Sequence, residues 1–199
     1  MSLFPLFETI AIIDGKPQNL AYHQARFEHA MRNYFQIEPK FQLGEVIKVP
    51  AEHQQGLVRC RMDYSAHHFE LTFFPYQPRQ IQTLQCVYVD EIDYRFKYSD
   101  RSQLEALKNG KSDEIVIVHQ GYVSDCTIGN LLFFKAGRWY CSEDYLLKGT
   151  QLSKLLDEQK VELIKLPISD LFCYEKVMII NALNSFENGQ ILPISNIKL

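Results

Sequence analysis

The sequence predicts an α+β protein in two parts, and three observations carry that expectation. Short runs alternate apolar and polar residues or are continuously apolar, whereas two longer runs place apolar residues at helical spacing. The strand-like and helix-like runs interleave without a regular strand–helix–strand rhythm. A polar stretch with two prolines, Pro75-Tyr76-Gln77-Pro78-Arg79-Gln80, separates a smaller N-terminal portion from a larger C-terminal one. The expected boundaries are a small domain over 1–75, a linker over 76–82 and a second domain over 83–199.

Along the chain, Leu6 to Ile13 is rich in Phe, Thr and Ile and ends at Asp14-Gly15, a hairpin turn signal. A helix follows over about 20–35, with Leu20, Phe27, Ala30, Met31 and Tyr34 on its apolar side. His23 and Arg26 lie three apart on this helix and so share a face. Residues 57–62 and 69–74 read as two strands joined around Ser65-Ala66-His67-His68. Beyond the linker, Leu84 to Val89 reads as a strand, and Asp100 as the cap of a short helix with Leu104 and Leu107 inward. Glu114 to His119 is a strand turned by Gln120-Gly121. Leu131 to Phe134 and Trp139 to Cys141 flank Ala136-Gly137 as a hairpin. Leu147-Lys148-Gly149-Thr150 opens a helix carrying Leu152, Leu155 and Leu156, and Val161 to Leu166 and Val177 to Ile180 are further strands.

Composition excludes several classes. The chain has 199 residues, 46% hydrophobic and 23% charged, with a formal net charge of −3. That is the balance of a folded globular chain, not of a disordered or fibrous one. No basic footprint for nucleic acid is present. No apolar run has the length of a membrane span, and the opening Met1-Ser2-Leu3-Phe4-Pro5 has no signal-peptide pattern, so a cytoplasmic location is expected. The five cysteines are odd in number, widely spaced and without a CxxC pair, which reads as five buried thiols. His67-His68 lacks a third ligand at useful spacing, and no metal site is expected.

Four features could carry chemistry. Lys97 sits among aromatics in Tyr94-Arg95-Phe96-Lys97-Tyr98-Ser99, where loss of water disfavours an ammonium and favours a nucleophilic amine. Gly149-Thr150-Gln151 opens a helix, and helix N-termini suit phosphate. Arg26 offers the fixed donor fork that phosphate prefers. Asp125, in Gly121-Tyr122-Val123-Ser124-Asp125-Cys126, is a carboxylate in an apolar, turn-rich stretch that can pair with a cation or a protonated ring nitrogen. Each feature alone has a plain alternative: a snorkelling lysine, an ordinary loop-to-helix junction, a solvated helix face and a turn carboxylate.

In order, these stretches resemble the class IV aminotransferase-like, fold-type IV pyridoxal-phosphate enzymes, and are most similar to the 4-amino-4-deoxychorismate lyase branch. The matching segments are Phe7-Glu8-Thr9 through Asp14-Gly15, Leu20-Ala21-Tyr22-His23-Gln24-Ala25-Arg26, and Lys97-Tyr98-Ser99-Asp100-Arg101-Ser102-Gln103-Leu104. They continue with Asp113-Glu114, Gly121 to Asp125 with Asn130-Leu131, Leu147 to Thr150, and Ile180-Asn181-Ala182-Leu183. The resemblance implies the two-domain D-amino-acid-aminotransferase-like fold, a small α/β domain followed by a larger pseudo-barrel domain that carries the Schiff-base lysine, here N-terminally shortened.

It also implies roles. Lys97 would bond pyridoxal 5'-phosphate and shuttle a proton, and Arg26 would hold the phosphate. Gly149, Thr150 and Gln151 would complete the phosphate cup, with Ala182 in a second phosphate loop. Asp125, where the family usually has glutamate, would pair with the pyridine nitrogen. Leu152 stands where many members have arginine, and Asp63 to His68 replace a glycine-rich, arginine-containing segment. The implied activity is release of pyruvate and 4-aminobenzoate from aminodeoxychorismate, a step of folate synthesis, by a homodimer acting on a small amino substrate. A transaminase for D- or branched-chain amino acids, or a cofactor-free binding relative, are the alternatives. Arg59, Arg61, Arg95 and Arg101 are all candidates for the substrate carboxylate, and the sequence does not rank them.

Overall fold

The structure is a computed structural model and describes residues 3–199. Its elements in chain order are β1 (Leu6–Ile13), β2 (Lys16–Pro17), α1 (Leu20–Asn33), α2 (Leu43–Val46), β3 (Leu57–Tyr64), β4 (Phe69–Pro75), β5 (Leu84–Val89), α3 (Ser102–Ala106) and β6 (Glu114–His119). They continue with β7 (Tyr122–Val123), β8 (Asn130–Lys135), β9 (Arg138–Ser142), α4 (Thr150–Asp157), β10 (Val161–Ile164), β11 (Lys176–Ile180), β12 (Ile191–Pro193) and β13 (Ile197–Lys198). This is the expected α+β class. The chain divides into two compact units, one of 3–78 with 96–100, the other of 79–95 with 101–199.

The first unit is an antiparallel sheet, β2-β1-β3-β4, with α1 on one face. Strand period decides which side chains meet the helix. Leu6, Ile10 and Ile12 of β1 and Val58, Cys60, Met62 and Tyr64 of β3 share a core with Phe27, Ala30 and Met31 of α1. Phe7 and Thr9, with their register partners Asp63 and Arg61, take the opposite face. Segment 96–100 joins this unit because Lys97 O accepts from Phe7 N (3.0 Å), Ser99 N donates to Pro5 O (2.8 Å) and Tyr98 bridges Leu6. Lys97 therefore groups with the first unit and not with the second, where the sequence places it. A backbone pairing across some ninety residues overrides the order of the chain.

The second unit has two sheets, β13-β5-β6-β7 and β10-β9-β8-β11-β12. Leu84, Cys86, Val116 and Val118 of the first pack in one core with Leu131, Phe133, Val177 and Ile179 of the second. The alternate residues of β8 and β11, Leu132, Met178 and Ile180, meet Leu152 and Leu155 of α4 on the other side. Both strands are thus buried on two faces, which explains their continuously apolar sequences.

Several expectations are corrected at their edges. α1 ends at Asn33, β10 stops at Ile164, and α3 is capped by Arg101, not Asp100. Two strand–helix–strand crossovers do exist, since β5 pairs β6 and β9 pairs β10 in parallel. Four cysteines are buried, but Cys173 is exposed, at the end of a 3-10 turn. The hairpin turns at Asp14-Gly15, Gln120-Gly121 and Ala136-Gly137 each have positive φ at both residues, the twist that two-residue hairpins require. No helix among the described residues is long and apolar enough to cross a membrane.

Candidate active site

In the first unit, a charge cluster forms where β1 faces α1. Glu8 is fully buried. Arg26 Nε donates to Glu8 Oε1 (2.8 Å) and Nη2 to Oε2 (2.6 Å), and His23 Nδ1 lies 2.7 Å from Oε2. A carboxylate only accepts, so the His23 proton is on Nδ1. Burial alone would push the Glu8 carboxyl upward, but the Arg26 charge and the bonds from His23 and Arg26 outweigh it and hold it at about 2. His23 is shifted down, first by burial and also by the Arg26 and Lys97 charges, with Glu8 opposing. The imidazole is thus neutral and the Arg26 fork is fixed by a bidentate partner.

Lys97 lies in the same unit. Its Nζ is 4.7 Å from the centroid of Phe7, and its charge is felt at His23. The unit therefore brings Lys97 and Arg26 to one strand, β1, through adjacent residues: Phe7 meets the lysine and Glu8 the arginine.

The second unit assembles Asp125, Asn130 and the start of α4. Asn130 Nδ2 donates to Asp125 Oδ1 (2.7 Å) and to Leu147 O (3.0 Å), while its Oδ1 accepts from Gly149 N (3.1 Å). Asp125 Oδ2 accepts from the backbone of Leu146 (3.0 Å) and Leu147 (3.2 Å). Burial raises the Asp125 carboxyl to about 7 against the pull of those three donors, and the charge of Asp144 adds to the rise. Gly149 is the N-cap of α4 and has no side chain to cap with; a Cβ there would collide with Asn130 Oδ1. Thr150 and Gln151 are buried in the first turn.

The loop after β11 docks on the same region. Asn181 Nδ2 donates to Ile128 O (3.1 Å), and Asn181 Oδ1 accepts from the backbone of Leu183 and Asn184 (2.9 Å each), which folds the turn holding Ala182. Gly129 packs directly on the Ile180 carbonyl, where any Cβ would overlap. Asp125, Gly149, Thr150, Gln151 and Ala182 thus belong to one unit, and Arg26 and Lys97 to the other.

Motif order alone does not mark Glu8 and Asn130 as site residues. Glu8 did leave a signal: it is the lone charge in Leu6-Phe7-Glu8-Thr9-Ile10-Ala11-Ile12-Ile13, on the phase of the core residues Leu6, Ile10 and Ile12. Asn130 opens a strand whose next four residues are apolar, a similar polar exception. Among the described residues no group of three or more His, Cys, Asp or Glu could hold a metal ion.

The fold and these two clusters define a class of protein. The amino-transferase class IV family model matches residues 97–197, about half of the chain, beginning at Lys97 itself. The chain belongs to that family, whose enzymes depend on pyridoxal phosphate. Among its relatives, an uncharacterized protein of Haemophilus influenzae is 41% identical over 186 residues, covering 92% of this chain and 99% of that one. A solved structure from Haemophilus somnus 129pt, described as a "putative 4-amino-4-deoxychorismate lyase", is 40% identical with a TM-score of 0.86, covering 94% and 100% of the two chains. A "putative amino-acid aminotransferase" from Mesorhizobium loti shares the fold, with a TM-score of 0.79 at 20% identity.

The residues present suit pyridoxal phosphate. A clamped guanidinium and a helix N-terminus without a capping side chain are both donors for a phosphate. A buried carboxylate bonded by three donors keeps acceptor capacity for a protonated ring nitrogen. A lysine amine supplies the nucleophile for the aldehyde.

Proposed function

We propose that this chain is a pyridoxal-phosphate-dependent lyase of the 4-amino-4-deoxychorismate type, releasing pyruvate and 4-aminobenzoate. The observation that carries the cofactor reading is the Glu8–Arg26 clamp in the same unit as Lys97. The 40% identity over the full length of the Haemophilus somnus chain favours the lyase branch over the transaminase branch.

When bound, the cofactor supplies an aldehyde for the substrate amine and an electron-accepting ring. Arg26 in the first unit, and in the second the N–H groups of Thr150 and Gln151 with the Ala182 turn, would be the donors offered to the phosphate, whereas the Gly149 N–H is committed to Asn130 Oδ1. Asp125 would hold the ring-nitrogen proton. Lys97 Nζ takes the proton from the ring carbon bearing the amine. The ring C–O bond to the enolpyruvyl group then breaks. Enolpyruvate leaves, gains a proton at its methylene carbon and becomes pyruvate, while the six-membered ring becomes aromatic. Aromaticity supplies much of the driving force, so the protein's task is chiefly positioning. The homodimer, the cytoplasmic location and the place in folate synthesis belong to the same proposal.

The test is turnover of aminodeoxychorismate by the cofactor-loaded protein, with pyruvate and 4-aminobenzoate measured together. The expected result is one of each per substrate consumed, with Lys97→Ala inactive. Conversion of D- or branched-chain amino acids with 2-oxoglutarate, without pyruvate release, would replace the lyase by the transaminase. No reaction with either would leave a cofactor-free binding relative.

A further inference from the structure

Four arginines are chemically able to receive a substrate carboxylate, and the structure separates them. Arg95 lies in the second unit, is 78% exposed on its side chain and is paired with Asp93. Arg101 is committed to holding its own unit together, donating to Thr127 O (2.8 Å), Glu105 Oε1 and Tyr94 Oη. Arg59 sits over Phe74, itself an exposed residue near the end of β4. Arg61 shares a neighbour with Lys97.

That neighbour is Phe7. The Arg61 guanidinium carbon lies 3.9 Å from the centroid of the Phe7 ring, and Lys97 Nζ lies 4.7 Å from the same centroid. Strand alternation explains the arrangement. Glu8 turns to the α1 face and clamps Arg26, whereas Phe7 turns to the opposite face, where Arg61 and Asp63 of β3 stand opposite Thr9 and Phe7. On that face the clamp is repeated. Arg61 Nε donates to Asp63 Oδ2 (2.7 Å) and Nη2 to Oδ1 (2.6 Å), with Ser99 Oγ 3.4 Å from the same Oδ1. The fork is thereby fixed, and Arg61 Nη1 makes no hydrogen bond among the described residues. A planar guanidinium held in this way is preorganised for a carboxylate. The buried ring of Phe7 touches both cations and fixes their spacing.

We propose that Arg61 receives the carboxylate of the substrate, at the end of a flat molecule whose amine meets Lys97. The class of ligand is a ring-bearing amino carboxylate, and Phe7 sets the spacing of the two cations that meet its ends. This rests on the function proposed above, because it takes Lys97 as the residue that meets the amine.

The test compares 4-aminobenzoate with its uncharged counterpart 4-aminobenzamide, by calorimetry on the full chain with and without pyridoxal phosphate. The wild-type protein should prefer the carboxylate. Arg61→Gln should lose about tenfold in affinity for 4-aminobenzoate, ~1.4 kcal/mol, with little change for 4-aminobenzamide. Arg61→Lys should recover part of the loss. Borohydride trapping of the cofactor should be unaffected by either variant.

The proposal is overturned if Arg61→Gln keeps the wild-type preference, or if the wild type has none. It is overturned equally if the variant loses both ligands alike, or loses cofactor trapping, since Arg61 would then serve the fold or the cofactor. A wild-type chain that traps no cofactor sinks the proposed function instead, while the cofactor-free titrations still decide Arg61.

Discussion

Glu8 shows how one residue can set the character of a site. A carboxylate buried in an apolar strand is costly unless it is paired, and here it is paired twice. Its carboxyl is depressed from 4.5 to about 2. The stability it contributes is therefore complete above about 4.5 and is lost as pH falls from there through about 2. Glu8→Gln should flatten that acid limb in a pH series of denaturant melts. At neutral pH it should cost about 3–5 kcal/mol, because Arg26 is left without its buried partner. Parallel acid limbs for the two proteins would refute this. Arg26→Ala should weaken pyridoxal-phosphate binding by roughly 2–4 kcal/mol in an equilibrium titration, the scale of a lost charged hydrogen bond in a partly buried place. Undiminished affinity would mean the arginine has another task. Lys97, Arg26 and Asp125 were visible in the sequence only because short motifs fell in a recognisable order. Their partners Glu8, Asn130 and Arg61 were invisible as partners, because pairing is a property of strand phase and register.

At the scale of elements, the strongest local signals coincide with strands of the fold. β1, β3, β4, β5, β6, β8 and β11 all lie where apolar runs and turn residues place them. The three two-residue turns follow from backbone chemistry at Asp14-Gly15, Gln120-Gly121 and Ala136-Gly137. β2 is the short return of the Asp14-Gly15 hairpin, whereas β7, β12, β13 and α2, each four residues or fewer, carry no local signal. Such pieces hold their conformation through what they pair with, and propensity says little about them. The junction around Gly129 depends on close approach of two loops. Gly129→Ala would force a methyl into the Ile180 carbonyl, which is backbone and has little room to give. A loss of about 1–3 kcal/mol is expected by chemical denaturation, with weaker cofactor binding as the Asn181 turn is displaced. Wild-type stability and wild-type affinity together would contradict the role given to this contact.

For the whole molecule, the α+β class was legible but the grouping of its parts was not. The chain leaves the first unit after Pro78, returns for residues 96–100 and leaves again. Nothing local in Phe96 to Asp100 announces this; it depends on Leu6, Phe7 and Pro5 far away in sequence. That pairing seats Lys97 beside the strand that carries Glu8 and Phe7, which is what the proposed function requires. The central claim is that Lys97 is the residue to which the cofactor bonds. The most direct measurement adds pyridoxal phosphate to the purified protein, reduces it with borohydride and maps the adduct by peptide mass. The account predicts a visible absorbance band that borohydride removes, one adduct per chain, located on Lys97 and absent from Lys97→Ala. An adduct on another lysine, or none, would contradict it.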